Sequence, residues 1–200
     1  MTGFFKSILA AGLLAAGTMG VIHNVDAEEL DSIKSNGNMK IAMTGAYPPF
    51  NFVNDKNEVV GFDPAIGMEI AKRMGIKAEV VTTAWDGILA GLLANKYDAI
   101  VGSMSITEKR LKVVDFVGPY YRMSRAVFVK KGSSVQSLAD LKDKKIGATL
   151  GETHEKWARK KGGWEVKTYK GLPELMMELD TGRVDAVVVD NIPVYVAIKK

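Results

Sequence analysis

The sequence predicts an α/β fold of two related lobes, each a mostly parallel sheet flanked by helices, and two observations carry that prediction. Candidate strands and helices alternate from Met39 onward, the pattern that builds parallel sheets through helical crossovers. The chain also echoes itself. Lys96-Tyr97-Asp98-Ala99-Ile100-Val101 returns as Arg183-Val184-Asp185-Ala186-Val187-Val188, and Lys40-Ile41-Ala42-Met43-Thr44 as Lys145-Ile146-Gly147-Ala148-Thr149, so each half begins and ends on similar strands. Ligands of open α/β sheets bind beyond the carboxyl ends of the strands, and two such lobes set those ends across one cleft. Thr44, Gly102 to Ser105, Thr149 and Asp190 occupy such positions.

The elements follow in chain order. Lys6, the apolar run from Ile8 to Ile22 and the short side chains of Val25-Asp26-Ala27 read as a signal peptide cleaved after residue 27. The run is shorter than the roughly 20 residues a membrane span needs. Lys40 to Thr44 is the first strand, followed by a turn at Tyr47-Pro48-Pro49. Asp63 then suits a helix N-cap and Pro64 the first helical position, with Ile66, Ile70, Ala71 and Met74 as the buried stripe and Gly75 as the stop. Lys77 to Thr82 is the next strand. Asp86 caps a helix whose inner face is Ile88, Leu89, Leu92 and Leu93, and Asp98 to Val101 returns as strand. Thr107 caps a short helix with Glu108 in its first turn, which projects Arg110 toward Ser103 to Ser105. In the second half, Leu175, Met176 and Leu179 form a helix core after Pro173, and Gly182 ends that helix. His154 is expected on a helix surface, and Trp157 and Trp164 to pack or cap the second lobe. The chain therefore divides into a leader at 1–27, a first lobe at 28–120, a hinge at 121–125 and a second lobe at 126–200.

Composition narrows the function. The 47% hydrophobic and 25% charged content is that of a globular protein and excludes a disordered, collagenous or wholly membrane-embedded chain. With no cysteine there is no disulfide, thiolate metal site, cysteine nucleophile or acylated lipoprotein anchor. The two histidines, His23 and His154, cannot build a multi-histidine metal site, and neither metal nor cofactor is expected. The 27 basic and 23 acidic residues are interspersed, which argues against nucleic acid as a partner.

The ordered set Tyr47-Pro48-Pro49-Phe50, Gly61-Phe62-Asp63, Trp85-Asp86-Gly87, Lys96-Tyr97-Asp98-Ala99-Ile100, Ser105-Ile106-Thr107-Glu108-Lys109-Arg110, Asp115-Phe116 and Pro119-Tyr120-Tyr121 resembles the periplasmic solute-binding proteins of ABC transporters, specifically the polar amino-acid family. The resemblance implies the two-lobed type II periplasmic-binding-protein fold. It also implies that Arg110 holds the ligand α-carboxylate, that Ser103 and Ser105, with Met104 between them, surround the α-amino group, and that Asp190 is the ammonium's countercharge. Both charges of a zwitterion leaving water need partners, and a guanidinium grips a carboxylate through two parallel hydrogen bonds. Taken alone, Asp190 also reads as a helix cap. Tyr47 and Trp85 match aromatic walls, and Thr153 offers its hydroxyl and N–H to the carboxylate. Glu152 departs from the small or neutral residue usual there; it either points outward or meets a ligand amine. Thr44 stands where members that bind cationic side chains carry an acid, so Thr44 and Thr149 imply a neutral polar side chain.

By the same resemblance the chain, which ends at Lys200 inside the helix expected after Asp190, lacks the carboxyl-terminal part that completes the second lobe and returns to the first. The function implied is that of a monomeric periplasmic receptor that closes on a free amino acid and presents it to an ABC transporter permease. No reaction is catalysed. Two other readings remain open on the same scaffold: an enzyme of the dehydratase or lytic transglycosylase kind, for which Glu152 and Asp190 are the only obvious acid–base groups, and an extracellular sensor.

Overall fold

The structure, a computed structural model, describes residues 25–198. The expected leader lies outside the described residues except for Val25, Asp26 and Ala27, which open helix α1 (Val25–Asn36). Among the described residues no helix is long and apolar enough to cross a membrane.

The first unit is built on β1 (Asn38–Met43), paired in parallel with β5 (Lys77–Thr82) on one side and β6 (Ala99–Ile100) on the other. Residues alternate between the faces of a strand, and β1 buries one set throughout and, of the other, Ala42. Met39, Ile41 and Met43 pack with Ala71, Ile66 and Met74 of the α2 region (α2, Phe62–Arg73), while Ala42 packs on the other side with Ile88 of α3 (Trp85–Leu93) and with Tyr97. Ile70 and Leu93, expected on the inner faces of these helices, are 42% and 54% exposed. Each extends an apolar stripe one position past what one sheet face covers. Between these elements β2 (Ala46–Tyr47), β3 (Asn51–Val53) and β4 (Val59–Val60) form a small antiparallel ribbon.

Neither expected aspartate cap is formed. Gly61 takes the cap position of α2 with φ 126°, and Ala84 that of α3. Asp63 is instead fully buried inside the first turn, where its carboxylate accepts from Asn51 Nδ2 (2.6 Å), Ser103 Oγ (2.7 Å) and Tyr120 Oη (2.8 Å). Three donors across the unit offset part of the cost of burial, which still pushes the carboxyl's pKa up. The Thr107 cap is formed: its hydroxyl accepts from the Arg110 N–H at the start of α4 (Glu108–Leu111).

After α4 the chain runs through Tyr120 and Tyr121, which pack with Phe50 and Phe62, and enters the second unit as β7 (Arg125–Val129). A 3-10 turn (Ala139–Leu141), β8 (Lys145–Thr149), α5 (Thr153–Lys161), β9 (Glu165–Tyr169), α6 (Leu172–Asp180), β10 (Ala186–Asp190) and α7 (Asn191–Ala197) follow. The sheet order is β7-β10-β8-β9, parallel except for β7. Strand β8, between β9 and β10, is the counterpart of β1, and β10 that of β6. Ala186 and Val188 face Ala158 of α5, and Val187 and Val189 face Leu172, Leu175 and Leu179 of α6.

The internal echo has a physical meaning. Asp98 Oδ2 accepts the Lys40 N–H (2.6 Å) at the start of β1, and Asp185 Oδ2 accepts the Lys145 N–H (2.8 Å) at the start of β8. In both copies the aspartate before a strand fixes the strand beside it, and the carboxyl ends of β1, β6, β8 and β10 then meet around one cleft.

Candidate functional site

Two neighbouring cavities occupy that cleft. The smaller, about 20 Å³, is lined by Tyr47, Trp85, Ser103, Ser105, Arg110, Glu152, Thr153, His154 and Asp190. Arg110 is only 7% exposed; its Nη1 donates to the Ser105 carbonyl (2.8 Å), and its guanidinium lies 5.6 Å over the Trp85 ring. No ion pair joins it to a carboxylate among the described residues, although burial works against its charge and Glu152 favours it. A buried cation with free donors is a site for an anion. Ser103 sits at φ 62°, an uncommon conformation held by its hydroxyl on Asp63 and by its N–H donating to Tyr120 Oη (3.1 Å).

The opposite wall carries Asp190 at the end of β10. Its Oδ2 accepts from Tyr47 Oη (2.7 Å) and lies 3.3 Å from His154 Nε2. Burial pushes its pKa up, but the His154 and Tyr47 contacts outweigh that and hold it below the usual carboxylate range. The Tyr47 hydroxyl is pushed well above its ordinary value by burial and by the charges of Asp190 and Glu152, so it remains a donor. His154 is not on the surface. It is 4% exposed, and its Nδ1 accepts from Arg125 Nε (3.1 Å), whose guanidinium stacks on Trp157 at 5.3 Å. With Nδ1 as acceptor, Nε2 carries the proton toward Asp190. His154 shares one face of α5 with Trp157 and Ala158, three and four residues on, and that spacing was the available signal.

Glu152 stands between the two walls. Gly151, at φ 81°, turns the chain into α5, where the Gly151 N–H is taken by Glu155 Oε2 (2.7 Å) and Glu152 makes no side-chain cap. Glu152 lines both cavities, and its Oε2 is buried with no hydrogen-bond partner among the described residues. Burial is the largest influence on it; His154 and Arg110 lower its pKa and Asp190 raises it, leaving it pushed up to about 7. Of the two orientations open from sequence, the structure has the inward one.

The larger cavity, about 280 Å³, extends from Tyr47, Trp85 and Glu152 along Thr44, Thr82, Thr83 and Thr149 to Leu172, with the exposed Lys170 and Glu174 also on its wall. Hydroxyls and apolar groups dominate it, although Thr44 Oγ1 is already committed to Asn51 Oδ1 (2.9 Å). Thr82 ends β5 and Thr83 follows it, so the strand-end rule that singled out Thr44 reaches them too. Ten of the eleven residues expected from sequence line one cavity or the other. Met104 does not: its side chain packs against Ala42, Ile88 and Tyr97, because the strand-end loop alternates its side chains between cleft and core. Among the described residues no group of three or more acidic or histidine side chains is arranged to hold a metal ion.

The family model described as "Bacterial extracellular solute-binding proteins, family 3" matches residues 39–183. The L-cystine-binding protein TcyJ of Escherichia coli (strain K12) is 34% identical over 196 residues, which cover 96% of this chain and 73% of that one. The ABC transporter arginine-binding protein 1 of the same organism is 34% identical over 188 residues, 93% of this chain and 72% of its own. The solved structure of the cysteine-binding protein from Campylobacter jejuni superposes with a TM-score of 0.80 at 32% identity, over 85% of this chain and 70% of that one. The fold is that of the type II periplasmic binding proteins.

Proposed function

The chain belongs to the bacterial extracellular solute-binding proteins, family 3, and from that premise we propose that it binds a free amino acid with a polar side chain of no net charge and delivers it to an ABC transporter permease. One observation carries the reading: a buried guanidinium without a carboxylate of its own, Arg110, faces Asp190 across a single small pocket. That pair matches the two ends of a zwitterion, with the α-carboxylate on Arg110 and the N–H and hydroxyl of Thr153, and the α-ammonium on Asp190 in place of the Tyr47 hydroxyl. The side chain then enters the threonine-lined cavity. Cystine and cysteine, which two of the relatives bind by name, carry no net side-chain charge, and the permease reading follows the relative named for its ABC transporter.

The protein acts as a monomer in the periplasm after cleavage behind Ala27, and lobes at 28–120 and 126–200 close about 121–125. The ligand leaves unchanged. Calorimetric titration at pH 7 against L-cystine, L-glutamine, L-arginine and L-histidine tests this. Saturable binding of a neutral ligand, abolished by Arg110→Ala, is the expected result. Tighter binding of arginine overturns the side-chain reading, no binding overturns the receptor reading, and recovery of a converted ligand replaces it with catalysis.

A further inference from the structure

Glu152 is the part of the pocket for which a zwitterion supplies no partner. Its carboxyl takes no part in starting α5, since Glu155 satisfies the Gly151 N–H. Its Oε2 is buried, unpartnered and at the boundary of the two cavities. The charged and titratable groups facing it are Arg110 from α4, Asp190 from the end of β10, His154 from α5 and Tyr47 from β2, with the uncharged Thr149 hydroxyl at the end of β8 and the exposed Lys170 and Glu174 on the wall of the larger cavity.

Charge accounting fixes the protonation state. Arg110 with an incoming carboxylate, and an incoming ammonium with Asp190, are two complete pairs. An ionised Glu152 would be a third charge, enclosed beside them and opposed by both the ligand carboxylate and Asp190. A neutral Glu152 instead has an O–H to give, on an oxygen that has no other use. We propose that Glu152 enters the occupied site as the neutral acid and donates its carboxyl hydrogen to the ligand's α-carboxylate, so that amino-acid capture takes up a proton. This rests on the zwitterion reading of the site. It also explains a neutral side-chain preference, because a protonated Glu152 offers no countercharge to a basic side chain.

Burial already pushes this carboxyl up to about 7 before any ligand arrives. Below that pH the proton is in place; above it each binding event must draw one from solvent, and Kd rises about tenfold per pH unit. The test is calorimetry with the tightest-binding of the four panel amino acids in phosphate and in Tris, whose ionisation enthalpies differ, from pH 6.5 to 8.5. The wild type is expected to take up a proton approaching one per ligand at the alkaline end. Glu152→Gln keeps a donor at the same place and is expected to show neither that uptake nor the alkaline loss of affinity. Proton release on binding, or uptake in the variant equal to that of the wild type, overturns the proposal. Urea unfolding of the ligand-free proteins between pH 5 and 8 tests it independently of any ligand. A folded-state pKa above the unfolded one means stability falls as pH rises through roughly 4.5 to 7; the decline is expected to be steeper in the wild type than in the variant. Equal profiles overturn the proposal even if no panel amino acid binds, which by itself would overturn only the receptor reading.

Discussion

Arg110 has left water, lies across an indole and gives one hydrogen bond to a carbonyl. A point charge would not do the same work. Lysine has no planar fork, stacks poorly on Trp85 and cannot reach Ser105 and a carboxylate at once, so Arg110→Lys is expected to lose at least about tenfold in affinity. Retained affinity by calorimetry would show that charge alone suffices. Arg110 and Asp190 were legible through the family resemblance, since taken alone an arginine in a helix reads as solvated and an aspartate after a strand as a helix cap. His154 was not legible in the same way, because a histidine in a charged stretch reads as surface unless its three- and four-residue neighbours are weighed. Asp63 misled for a related reason: a residue type favoured at caps is also one that a buried network of hydroxyls can hold.

Elements were easier to read than their faces. β5 and β8 span the residues read as strand from the sequence, and β1 and β10 shift by only one to three positions. The faces of helices are less certain, since a helix covers its sheet with a stripe whose width depends on crossing geometry that no single element encodes. Leu175 and Ile70 test the distinction. Leu175 is fully buried against β10, and Leu175→Ala is expected to cost about 2–5 kcal/mol in urea unfolding. Ile70, 42% exposed, is expected to cost less than about 0.5 kcal/mol when cut to alanine. Comparable losses would mean that α2 is rotated from the position described.

At the scale of the whole molecule, Tyr47 is one of the groups through which the two units touch. Its ring packs with the Leu172 cluster while its hydroxyl holds Asp190. A hydrogen bond to a charged acceptor contributes about 1.5–3 kcal/mol, so Tyr47→Phe is expected to move the closed-to-open ratio of the ligand-free protein by about tenfold or more. Small-angle scattering should then record a larger radius of gyration without ligand and an unchanged one with it. An unchanged value in both states would assign closure to packing alone. The path by which the chain enters the second unit gives the arrangement a further property. Arg125 begins β7, lies opposite Asp190 in the antiparallel register and steadies His154, so the strand that carries the chain across also holds the Asp190 end of the pocket. On the proposed reading, occupancy inside would thereby be geared to orientation outside, and a partner that senses only the angle between the jaws would receive a report of what they hold.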